Sequence, residues 1–135
     1  MLVVEDKPEM IQILTDYVLS PQGYVTLTAL DGEEGLRMAL TEEPDLVILD
    51  LRMPKMSGLQ VLQTLRERQY LVPVIVLTAY GSEEVVVRAL RLGAKQCIAK
   101  PFELDEMIHV VKRVLSGSKA EKAPGDRQVA DGDPS

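Results

Sequence analysis

Five polar residues stand where runs of apolar sequence stop. Glu5 and Asp6 follow Leu2-Val3-Val4, and Asp50 follows Leu46-Val47-Ile48-Leu49. Thr78 follows Pro73–Leu77, and Lys100 follows Gln96–Ala99. If these runs are strands of one open α/β sheet, ligands bind in the crevice at their carboxyl ends. Carboxylates gathered in such a crevice repel one another, so they either hold protons or share a cation. Their hard oxygens suit Mg²⁺, which takes a few carboxylates together with waters and phosphate oxygens. A carboxylate is also a nucleophile towards phosphorus and yields an aspartyl phosphate. The charge that builds up in phosphoryl transfer needs neutralising. A lysine ammonium, a threonine hydroxyl and backbone N–H groups are suitable donors.

The elements that must hold these residues read as strands and helices in alternation. Leu2–Glu5 is a short apolar run broken by Asp6-Lys7-Pro8, and proline suits a first helical turn. Met10, Ile11, Leu14, Tyr17 and Val18 recur at helical spacing until Pro21-Gln22-Gly23. Tyr24–Ala29 is rich in β-branched residues and predicts a strand. Asp31 with Glu34, and Ser57 with Gln60, have the form of capping boxes, each followed by a helical stripe. Ser82 is a candidate cap for a helix carrying Val85, Val86, Ala89 and Leu90 up to Gly93. A last helix shows Leu104, Met107, Ile108, Val111 and Leu115 on one stripe. Alternating elements of this kind predict a parallel sheet with helices on both faces, because parallel strands need crossover connections.

Length and composition set further bounds. A chain of 135 residues argues for one domain. The formal charge of -6 disfavours direct, non-specific nucleic-acid binding. The single cysteine, Cys97, cannot form an internal disulfide, so a reducing cytoplasm is the expected location. No basic-then-apolar leader opens the sequence, and the apolar runs are too short to span a bilayer. Residues 116–135 hold mostly Ser, Gly, Pro, Lys, Asp and Glu, and predict a disordered tail or a linker to an output domain outside this sequence. The expected domain is therefore 1–115. His109 falls in the last helix and reads as a surface residue.

The stretches Val3-Val4-Glu5-Asp6, Ile48-Leu49-Asp50-Leu51-Arg52-Met53-Pro54-Lys55-Met56-Ser57-Gly58, Leu77-Thr78-Ala79 and Lys100-Pro101-Phe102 occur in the order and spacing of a known family. Together they resemble the CheY-like receiver domains of two-component response regulators, over roughly residues 1–115. The resemblance implies a flavodoxin-like doubly wound fold with strand order 2-1-3-4-5; that order comes from the family, since the residues alone leave it open. It implies that Asp50 accepts a phosphoryl group from a histidine kinase or phosphotransfer protein. Glu5, Asp6 and Asp50 would hold Mg²⁺ together with the backbone carbonyl of Arg52. Glu5 occupies a position where many members carry aspartate. Thr78 and Lys100 would contact the phosphoryl oxygens, and the bond before Pro101 would be cis. On this reading the chain is a switch with self-catalysed phosphorylation and dephosphorylation, not an enzyme of ordinary turnover. Partners would bind the face built from the fourth helix, fifth strand and fifth helix, where Arg88, Arg91, Lys95, Asp105, Lys112 and Arg113 are candidates. A homodimer through the last helices is compatible with it.

One position departs from the family. Many receivers place an aromatic switch residue three positions before the lysine, and here that residue is Cys97. Two accounts of the switch are open. One runs through the loop after Thr78 and the following helix; the other uses Tyr80 as the movable aromatic. Arg52 and Tyr80 also correspond to positions linked to phosphoryl lifetime, and their large side chains predict a long-lived acyl phosphate. Competing functions are a degenerate receiver serving only as an interaction module, an Asp-nucleophile phosphatase, and a flavodoxin-type flavin carrier. The phosphatase reading is weakened by the position of Asp50 after the third strand. The flavin reading is weakened by scarce aromatics and the lack of a phosphate-cradling Gly-rich loop.

Overall fold

A computed structural model describes residues 1–53, 55–79 and 83–120. Five parallel strands form one sheet in the order β2-β1-β3-β4-β5. They are β1 (Leu2–Val4), β2 (Leu27–Ala29), β3 (Val47–Asp50), β4 (Val74–Ala79) and β5 (Gln96–Lys100). The helices between and after them are α1 (Pro8–Gln12), α2 (Gly32–Glu42), α3 (Gly58–Glu67), α4 (Glu83–Arg91) and α5 (Leu104–Ala120). The fold class and strand order expected from the resemblance are those observed.

The central strands are apolar on both faces because both faces are covered, as a parallel sheet requires. Alternate residues serve opposite cores. Leu2, Val4, Val47, Leu49, Val74 and Val76 pack with Ala39 of α2, Leu62 and Leu65 of α3 and Ala89 of α4. Val3, Ile48, Ile75, Leu77 and Ile98 pack with Leu14, Val18 and Leu19 on one side, and with Met107 and Val111 of α5. The period of two along each strand therefore assigns helices to layers.

Several boundaries differ from the sequence reading. The predicted strand Tyr24–Ala29 is paired only over Leu27–Ala29. It is an edge strand whose one neighbour, β1, offers three register partners, Leu2, Val3 and Val4. Upstream, the Tyr24 N–H turns back to the Leu19 carbonyl at 3.3 Å. β1 likewise ends at Val4, although the Glu5 N–H still reaches the Ala29 carbonyl at 3.0 Å. The first helix continues past Gln12 as π-helical turns over Ile13–Leu19 and a 3-10 turn over Ser20–Gln22. π turns rarely run so long, and nothing in the local sequence accounts for them. Gly23 ends the helix in the left-handed region at φ 86°, as its position predicted. The last helix does not stop at the boundary read at residue 115 but runs to Ala120. Ser and Gly cost a helix about 1 kcal/mol or less per residue, so a packed helix propagates through them. The candidate cap Ser82, Tyr80, Pro54 and residues 121–135 of the proposed tail lie outside the described residues.

Candidate functional site

Because β1 and β3 are neighbours, their carboxyl ends deliver Glu5, Asp6 and Asp50 to one place. One oxygen from each of the three carboxylates lies within 4.8 Å of the others. Glu5 and Asp50 are buried, at 0% and 1% exposure. Asp50 ends β3, and Leu51 continues the ladder with its N–H on the Leu77 carbonyl at 3.1 Å. The chain then turns, and the Arg52 N–H donates to Asp50 Oδ1 at 3.2 Å. Glu5 Oε2 accepts the Lys7 N–H at 3.1 Å.

Lys100, the last residue of β5, closes the arrangement. Its Nζ stands 3.3 Å from Asp50 Oδ2 and 3.7 Å from Glu5 Oε1, in ion-pair range but without hydrogen-bond geometry. The peptide bond between Lys100 and Pro101 is cis. Thr78 sits one register position before Ala79, the partner of Lys100, and is buried. Asp6, Lys7, Met10, Arg52, Met53, Ser57 and Lys100 line an open cleft of about 760 Å³ beside these groups.

The electrostatics are unbalanced. One ammonium stands in ion-pair range of two carboxylates with a third beside them, and burial pushes the Glu5 carboxyl up to about 7, helped by the charge of Asp50. Glu5 Oε1, Asp6 Oδ1 and Asp50 Oδ2 are buried and accept no hydrogen bond. Buried oxygens left without donors are costly unless something binds them. The same three carboxylates each bring an oxygen within 4.8 Å of the others, the donor set of a hard divalent cation, so the residues fit Mg²⁺.

The chain also matches a family model, described as the response regulator receiver domain, over residues 1–112. It belongs to that family. Among curated relatives, it is 41% identical over 118 residues to the alkaline phosphatase synthesis transcriptional regulatory protein PhoP of Bacillus subtilis, covering 87% of this chain and 49% of PhoP. It is 37% identical over 114 residues to the sporulation initiation phosphotransferase F of the same organism, covering 84% of this chain and 91% of that protein. Against the Escherichia coli regulatory protein AtoC it spans only 24% of the relative's length. The signal receiver domain of a putative Luxo repressor protein from Vibrio parahaemolyticus superposes with a TM-score of 0.84 at 29% identity, over 93% of this chain and 96% of that one. This receiver domain thus spans about half or less of some regulators it resembles and nearly all of others.

Of the remaining sequence candidates, Cys97 is half-buried on β5 and packs against the core shared with α4. Burial pushes its thiol up, which disfavours the reactive thiolate. Tyr80 lies outside the described residues. His109 is exposed on α5. Among the described residues no helix is long and apolar enough to cross a membrane. The sequence reading missed Lys7, whose backbone orients Glu5, and Met10 and Met53, which wall the cleft. A backbone N–H leaves no residue-type signal, and a methionine reads as core.

Proposed function

We propose that this receiver domain is a Mg²⁺-dependent phosphoryl switch with Asp50 as the acceptor. The observation that carries this reading is the cluster of Glu5, Asp6 and Asp50, with a buried oxygen on each that accepts no hydrogen bond and with Lys100 in ion-pair range of Glu5 and Asp50. An Asp50 oxygen attacks the phosphorus of a phosphohistidine on a histidine kinase or phosphotransfer protein. A P–O bond forms, the P–N bond breaks, and the imidazole nitrogen leaves with the electron pair. Water later attacks the same phosphorus, releasing inorganic phosphate and restoring the carboxylate. Glu5, Asp6, Asp50 and the Arg52 carbonyl would hold Mg²⁺, which when bound neutralises charge on the phosphoryl oxygens. Lys100 is already within ion-pair reach of Asp50 and would follow the charge as it moves onto the phosphoryl group. Thr78, buried one residue before the register partner of Lys100, would donate its hydroxyl there.

The switch itself is a shift between two conformations that bind partners differently. The α4–β5–α5 face is the candidate for partner binding and for a homodimer. Arg88, Arg91, Asp105, Lys112 and Arg113 are exposed there, with the apolar side chains of Val87, Leu90 and Leu104 among them. A covalently linked output domain beyond this sequence and a cytoplasmic location complete the reading.

Intact mass measurement after incubation with a small phosphodonor tests it. The wild type should gain one phosphoryl group with Mg²⁺ and none with chelator, and Asp50→Asn should gain none. No adduct under any condition would leave a degenerate interaction module. Release of many phosphates per chain would point instead to a phosphatase.

A further inference from the structure

The loop between β3 and α3 forms one wall of the cleft, and its anchorage extends beyond the acidic residues. At its base the Gly58 N–H donates to the Leu51 carbonyl at 3.1 Å, and at its start the Arg52 N–H holds Asp50 Oδ1. Its far side rests on α2, an element that contributes no group to the cleft. A Cβ built on Gly32 would stand 1.9 Å from the Met56 carbonyl oxygen, so the first turn of α2 and the loop are in backbone contact. Next to this contact Asp31 has two uses. Its Oδ1 caps α2 by accepting the Glu34 N–H at 2.9 Å, and its Oδ2 stands 3.5 Å from Lys55 Nζ. Lys55 holds a left-handed backbone at φ 71°, a conformation that a side chain disfavours and that the loop adopts only if something holds it. Asp31 is largely covered while Lys55 is exposed, so the carboxylate is the fixed partner and the lysine the tethered one.

We infer that Asp31 is a positioning residue for the acidic cleft: through Lys55, and beside the Gly32–Met56 contact, it holds the β3–α3 loop in the conformation that keeps the Arg52 backbone on Asp50. The inference rests on the reading of Glu5, Asp6 and Asp50 as the Mg²⁺ site. It makes α2 a determinant of metal affinity without touching the metal. Outer partners that fix a ligand's orientation have effects of this kind.

The test is a Mg²⁺ titration of the full chain, read as a dissociation constant, with the metal-free melting temperature measured in parallel. Asp31→Asn keeps the cap hydrogen bond, because asparagine caps as well as aspartate, and removes the charge that faces Lys55 and the first turn of α2. It should weaken Mg²⁺ binding about two- to fivefold, the range of a partly exposed ion pair, with little change in metal-free melting. Lys55→Met should do the same. The double variant should be no weaker than either single one, because both remove one contact. The gap to wild type should also close in about 1 M salt, which screens the pair. Gly32→Ala, which forces the Met56 backbone to move, should weaken binding by about tenfold or more. Unchanged Mg²⁺ affinity in Asp31→Asn and Lys55→Met, with wild type binding normally, overturns the positioning role and leaves the proposed function standing. Additive losses in the double variant overturn it equally. A wild type that binds no Mg²⁺ overturns the proposed function and this inference with it.

Discussion

In the folded chain the Glu5 carboxyl keeps its proton up to about pH 7, against a reference value of 4.5. Burial is the larger cause and the Asp50 charge the next. Between those two values the native state binds more protons than the unfolded chain, so stability falls as pH rises. The contribution of protonated Glu5 is full below about pH 4.5 and lost as pH climbs through about 7. In chelator, the melting temperature should therefore decline across this window, and Glu5→Gln, which carries no proton to lose, should flatten the decline. Mg²⁺ should act with the opposite slope, because it competes with that proton for the same oxygens. It should raise the melting temperature more at pH 8 than at pH 5.5. Thermal melts of both proteins, with metal and with chelator, give all four curves. A wild-type profile equally flat in chelator would mean that the Glu5 carboxyl ionises as freely as in solvent.

The loop after β3 shows how an element sets the geometry of a single side chain. Gly58 begins α3 where the chain passes close to Asp50: a Cβ there would lie 2.4 Å from the Asp50 carbonyl oxygen and 2.7 Å from Leu51 Cα. Those are backbone atoms that no rotamer change can move aside. Gly58→Ala should cost about 1–3 kcal/mol as an overpacked site, and should slow Asp50 phosphorylation, since relief requires Asp50 or the loop to shift. Denaturant melts and phosphorylation time courses check both, and a variant that melts like wild type would show that the backbone yields there. The cap of α3 was legible beforehand: the Gln60 N–H donates to Ser57 Oγ at 3.3 Å and the Ser57 N–H to Gln60 Oε1 at 2.9 Å. At α2 the Asp31 cap is as expected, but Glu34 Oε1 accepts from the Leu30 N–H at 3.0 Å, one residue before the reciprocal partner. Caps are readable because their partners lie three or four residues apart. The pairing of Lys55 with Asp31, the three-residue length of β2 and the π turns that follow α1 depend on neighbours distant in sequence, or on no local signal at all.

At the scale of the molecule, the cleft and the scaffold occupy opposite ends of the sheet. The acidic residues and Lys100 sit at the carboxyl ends of β1, β3 and β5. At the other end Arg66, in the last turn of α3, donates to carbonyls that lead into β4 and β5. Nε bonds the Leu92 carbonyl and Nη1 the Tyr70 carbonyl, both at 2.8 Å. Nη2 bonds the Gly93 carbonyl at 3.1 Å, and both terminal nitrogens reach the Val72 carbonyl at 3.3 Å. One guanidinium thus ties the exits of α3 and α4 to the entries of the next two strands. The sequence announced the cleft, because its residue types interrupt apolar runs, but not this tie, since a lone arginine on a helix reads as solvated. The two ends make different demands on the chain. Arg66→Met keeps the aliphatic stem and strands the carbonyls, so it should cost about 1–3 kcal/mol of stability. Because the strands between are packed and the contacts lie far from Asp50, Mg²⁺ affinity and the rate of phosphorylation by a small donor should stay at wild-type values below the melting transition. If Arg66→Met lost Mg²⁺ affinity while still folded, the two ends would be mechanically coupled through β4 and β5. The cleft would then depend on the whole sheet and not on its own loops.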